Sequence, residues 1–106
     1  MNVQQLISHV AAVIIFEPDK TPQVLRNQVR PPELTQMQKW IGGYVENVAF
    51  RTEAHIQCFV DEEGKLKGKE ANALATALAR SIDPVWKNDV LVGTVVFLVG
   101  RKVMWK

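Results

Sequence analysis

The residues best equipped for chemistry are few, and each has a bland alternative. Asp61, Glu62 and Glu63 stand together, and clustered carboxylates serve acid–base steps or hold a hard cation. Gly64 and Lys65 follow at once and no second carboxylate cluster occurs, so the composition is that of a solvated hairpin turn with Gly64 at positive φ. His55 and Cys58 have H-x-x-C spacing, half of a metal site or of a Cys/His catalytic pair. Residues three apart on a strand point to opposite faces, which sends Cys58 to the aliphatic side and His55 to the other. His9 is too isolated to complete a set. The chain is therefore expected to be non-enzymatic, with no catalytic residue, metal or cofactor.

Two further groups suit binding. Asn72, Thr76 and Arg80 recur at i, i+4 and i+8, one polar stripe of a helix. Arg80 would offer a bidentate fork to a small anion, and Asn72 and Thr76 neutral hydrogen bonds. The end of the sequence carries Arg101, Lys102 and Lys106 with Trp105 and no acid, a basic tail with a ring able to stack on a base or a partner. Between Asp61 and Glu70 three lysines face four acids, a net charge of −1, so no phosphate-tracking patch is expected there. Gly42-Gly43 fits no phosphate-loop pattern and reads as a helix cap.

These residues must be positioned by short elements. Val10 to Phe16 and Gln23 to Val29 are extended candidates on either side of Glu17-Pro18-Asp19-Lys20, an antiparallel hairpin. After Pro31-Pro32, Leu34, Met37, Trp40 and Ile41 fall on one helical face, with Gly42 as its left-handed cap. Tyr44 to Phe50 and His55 to Val60 read as strands separated by residues 51–54, and Leu66 as a brief edge strand ended by Gly68. Glu70 to Ile82 is a helix with an apolar stripe of Ala71, Leu74, Ala75, Leu78 and Ile82, stopped by Asp83-Pro84. Val90 to Val99 is continuously apolar, hence a central strand buried on both faces, with Gly93 permitting a bulge or close packing.

Composition bounds the rest. The 106 residues are 47% hydrophobic and 23% charged, with a net charge of +2 and a single cysteine. That is one soluble domain, folded without disulfides and suited to a reducing cytoplasm. The longest apolar run, 90–100, falls short of the roughly 20 residues of a membrane span. Residues 1–16 contain no Lys or Arg, so no export signal is expected. An exposed edge strand, or Phe59 on the outward face, would suit a homo-oligomer contact.

Taken in order, the hairpin-like start, Ile41-Gly42-Gly43-Tyr44-Val45-Glu46, the segment Val60 to Gly68, Asn72 with Ala75-Thr76, and Asp89 to Val96 resemble the domain of unknown function 3846 family. The likeness spans about residues 11–100, with 1–10 and 101–106 as additions. It departs at Lys69-Glu70-Ala71, where such sequences often carry prolines, so the entry to the second helix is expected to differ. The resemblance implies a small cytosolic α+β protein of bacteriophages, plasmids and their hosts, without established catalytic residues. The fold expected is a single α+β domain over 1–106, a mixed and mostly antiparallel sheet with two helices on one face. The function expected is that of a phage or mobile-element accessory protein. It would bind a host protein or a small nucleotide-like ligand, with antagonism of host defence as the setting. The alternative is a nucleic-acid-binding regulator using the basic tail.

Overall fold

The computed structural model describes residues 11–50 and 55–105; residues 1–10, 51–54 and 106 lie outside it, and with them His9, the expected break at 51–54 and Lys106. Five strands form one sheet: β1 (Ala12–Phe16), β2 (Gln23–Leu25), β3 (Val45–Val48), β4 (Ile56–Asp61) and β5 (Val95–Val99). Their order is β2-β1-β5-β4-β3, and every neighbouring pair is antiparallel. The last strand thus enters the middle, as its continuous apolar character requires, since a central strand is covered on both faces. The α+β class and the central place of β5 match the sequence reading. The strand itself is shorter than 90–99, because Gly93 takes φ +70° and Val92 makes only an isolated bridge to Ala71.

Two helices, α1 (Leu34–Ile41) and α2 (Ala73–Ile82), cover the sheet, and the expectation that they share one face is wrong. Strand alternation sorts the core into two layers. Ile14, Phe97, Cys58 and Val48 pair successively across four strands and belong to a cluster with Ala75 and Ala79 of α2. Val13, Ile15, Phe59, Val96 and Leu98 point the other way and pack with Met37 and Ile41 of α1. A β5 with apolar side chains on both faces needs a cover on each. Phe59 therefore lies under the α1 layer at 3% exposure, which removes it as an outward dimer contact.

The α1 reading holds for the helix and its cap: Met37 and Ile41 are buried, and Gly42 caps the helix at φ 79° with its N–H on the Gln38 carbonyl, but of the expected apolar face Leu34, in the first turn, stays exposed. The α2 reading is displaced. The helix starts at Ala73 behind an Asn72 cap, and its inward residues are Asn72, Ala75, Thr76, Ala79 and Asp83, while Leu74 is 55% exposed. That stripe is the expected one advanced by a single residue, a rotation of about 100°. Small side chains at Ala75 and Ala79 let α2 approach Phe97, and Leu78 and Ile82 flank the contact. Residues 62–68 form consecutive turns, so Leu66 is not a strand but 89% exposed. The positive φ falls on Gly68 rather than Gly64; Gly64 serves a close approach instead, since a Cβ there would stand 3.0 Å from Val92 Cγ2 and 3.3 Å from the Asp61 carbonyl oxygen.

The chain end is not a loose tail. Val103 is fully buried. The Trp105 N–H donates to Gln57 Oε1 at 2.6 Å, and Gln57 Nε2 donates back to the Trp105 carbonyl at 2.6 Å. The indole N–H donates to the Pro32 carbonyl at 2.8 Å, with the ring tilted on Phe59 at 4.9 Å between centroids.

Candidate functional site

The most elaborate polar arrangement is centred on Asp61, where β4 ends. The expected solvated turn holds for Glu62 and Glu63, which are exposed, but Asp61 is buried. Strand parity puts it on the α1 face with Phe59. Its Oδ2 accepts from Lys67 Nζ at 2.8 Å and Lys69 Nζ at 2.7 Å, and its Oδ1 from the Glu63 N–H at 2.8 Å. Burial works to raise the carboxyl, but the two lysine hydrogen bonds and the Glu63 N–H outweigh it and hold it at about 2. The same hydrogen bond to Asp61 raises Lys67.

The lysines also close the end of α1. Lys69 donates to the Ile41 carbonyl at 2.9 Å and Lys67 reaches the Gly42 carbonyl at 3.4 Å, where cations complement the negative pole of a helix. Gly43 leaves the space this needs: a Cβ there would stand 2.6 Å from Asp61 Oδ2 and 2.7 Å from Lys67 Nζ. The Gly42-Gly43-Tyr44 segment and the Asp61 to Lys69 loop, far apart in sequence, thus interlock around one carboxylate.

The stripe Asn72, Thr76 and Arg80 is brought together, but against the 89–93 segment. Asn72 accepts from the Ala75 N–H at 3.2 Å and donates to the carbonyls of Phe16 and Gly93, both at 2.9 Å. Thr76 Oγ1 accepts from the Leu91 N–H at 3.0 Å. Arg80, the exposed member, donates to the Asp89 carbonyl at 2.9 Å. The three side chains are the lashings that tie α2 to the connection leading into β5. The signal available in the sequence was the asparagine at the helix entry, a strong capping residue.

His55 and Cys58 are held apart as parity predicts. Cys58 is buried in the α2 layer, where desolvation pushes its thiol far above the ordinary range, the inert condition of a cysteine. His55 Nε2 accepts from Arg101 Nε at 3.0 Å. Arg101 and Lys102 are exposed, while Trp105 is half-buried. Among the described residues, no three His, Cys, Asp or Glu side chains are grouped to hold a metal ion, and no helix is long and apolar enough to cross a membrane.

Several depressions mark the surface. One of about 570 Å³ lies between Arg30, Pro31, Pro32, Leu34, Met104 and Trp105. Another of about 250 Å³ lies on the α2 side between β3 and the segment 86–92. Sequence reasoning missed both, since the first joins residues 30–34 to 104–105 and the second brings together 46–48, 60–65 and 86–92.

The family model described as a domain of unknown function, DUF3846, matches residues 10–102. No curated protein and no solved structure matches the chain. The matched span includes all seven strands and helices of the sheet and its covers, both glycine-containing segments that meet at Asp61, and the Asn72 lashing. The chain belongs to the DUF3846 family.

Proposed function

We propose that this protein is a non-enzymatic accessory protein of a phage or other mobile element. It acts in the host cytoplasm by holding a host protein or a small nucleotide-like ligand, to the detriment of a host defence system. The observation that carries this reading is where the chain spends its reactive groups. The Cys58 thiol is sealed in the core, the Asp61 carboxylate is closed by two ammonium groups, and Asn72 is saturated by backbone partners. The surface keeps concavities instead, and the one beside Trp105, at about 570 Å³, is of the size that takes a small ligand.

The test is native mass spectrometry of the protein purified from a host lysate, followed by denaturing release. A stoichiometric nucleotide-like mass, or a host protein retained at fixed ratio, supports the reading. A bare protein that captures neither overturns it.

A second reading, nucleic-acid binding by a small regulator, is favoured by the exposed Arg101 and Lys102 beside the half-buried Trp105. Removing the whole segment 101–106 would also remove the buried Val103, so the informative variant is Arg101→Ala with Lys102→Ala. Binding that weakens with salt, and whose salt dependence flattens in that variant, supports it, because phosphate contacts release counterions. Salt-insensitive binding rejects it.

A further inference from the structure

We infer that the recess of about 250 Å³ on the α2 side is a binding site for an organic cation, an alkylammonium or alkylguanidinium group. Its floor is apolar: Val48, Val60 and Leu91 line it, and all three belong to the buried layer beneath α2. Trp86 stands at its side, its indole N–H fixed on the Ala49 carbonyl at 3.0 Å.

The charge that faces the recess decides the ligand. Asp61 lines it, but its carboxylate is turned to the α1 face, where Lys67 and Lys69 neutralise it. Lys65 Nζ is closed on Asp89 Oδ1 at 2.5 Å, and Arg80 is engaged by the Asp89 carbonyl. Lys65 and Arg80 are thus already committed, and Lys87, the other basic residue of the 86–92 segment, is not among the residues that line the recess. Glu46 remains. It pairs across the sheet with Val60 and shares the face of Val48, two residues on. Its side chain is exposed and makes no hydrogen bond or ion pair with another described residue.

An apolar floor, a fixed indole and one uncommitted carboxylate are complementary to a cation on a short aliphatic stem. The stem is desolvated against Val48, Val60 and Leu91, and the cationic head reaches Glu46 with the indole close by. A phosphate or carboxylate would meet Glu46 as a like charge. The same chemistry is offered by a free amine and by an arginine or lysine of a partner, and the two differ in what surrounds the head group. This site is independent of the accessory-protein reading and stands or falls on its own ligand.

The test titrates ¹⁵N-labelled protein with n-butylammonium, n-butylguanidinium and the blocked tripeptide acetyl-Gly-Arg-Gly-amide, following the Trp86 indole N–H and the backbone amides of residues 46–48 and 89–91. Saturable shifts at these positions are expected with at least one probe. In Glu46→Gln, which removes the charge at an exposed position, affinity should fall about tenfold. Tighter binding of the free cations assigns the site to a small amine, and tighter binding of the tripeptide assigns it to a partner's basic side chain. Absence of saturable shifts with every probe, or binding unchanged in Glu46→Gln, overturns the inference. An unchanged spectrum of the unliganded variant away from residue 46 verifies that it is folded.

Discussion

The two faces of the sheet are covered by opposite means. On the α2 face the helix contributes small residues, Ala75 and Ala79, and is held by side-chain bonds to backbone from Asn72, Thr76 and Arg80. On the α1 face the helix brings bulk, Met37, Trp40 and Ile41, and polar fastening is applied to its end from outside by the lysines of the 62–69 loop. Small residues allow close approach but bury little apolar area, so the α2 face needs directional bonds to fix the helix. Large side chains fill the gap on the α1 face, so only the helix end requires fastening.

The strongest way to break that contrast is Asn72→Ala. It deletes the cap of α2 and strands the carbonyls of Phe16 and Gly93 in a buried setting. The expected loss is about 3 kcal/mol in urea unfolding. Hydrogen exchange should accelerate at the Gly93 and Leu91 amides before those of α1; equal acceleration on both faces would refute separate fastening.

Next is Asp61→Asn, which leaves two ammonium groups without their carboxylate. Because Lys67 and Lys69 can swing partly into water, the expected cost is about 2 kcal/mol, below that of a fully buried pair. The wild-type pH dependence should agree. A carboxyl held at about 2 from an ordinary 3.8 contributes stability that is present above its unfolded value and lost as pH falls through its folded value. Acid titration of stability should therefore steepen between pH 4 and about pH 2, and that component should be absent in Asp61→Asn.

Thr76→Val keeps the shape of the side chain and removes the acceptor of the Leu91 N–H. A loss of about 1 kcal/mol is expected. At the small end, Lys65→Met breaks the exposed pair with Asp89. Thermal unfolding should register less than about 0.5 kcal/mol, diminishing with added salt.

Much of this architecture was legible before folding. The i, i+3, i+7 spacing of Leu34, Met37 and Ile41 and the following glycine define α1 and its cap. The unbroken apolar character of β5 states that it is central. Alternation along β4 separates His55 from Cys58. What misled was a helix whose inward face carries polar residues: Asn72 and Thr76 resemble a solvated stripe until the 89–93 segment lies across them. Asp61 misled for a similar reason, since its neighbours Glu62 and Glu63 are solvated turn residues and only the end of β4 turns it inward.

Local sequence thus determined the elements, their caps and the parity of each strand, because those depend on near-neighbour geometry and on the period of the apolar pattern. The tertiary structure alone decided which face each helix covers, that Phe59 and Trp105 close the α1 layer, and that Gly43 must make room for Lys67 and Asp61. It alone also left the Glu46 side chain without a partner among the described residues, above an apolar floor. These are consequences of strand order and of loops crossing helices. No period in a single segment encodes them, because each arises where residues distant in sequence compete for the same space or the same hydrogen bond.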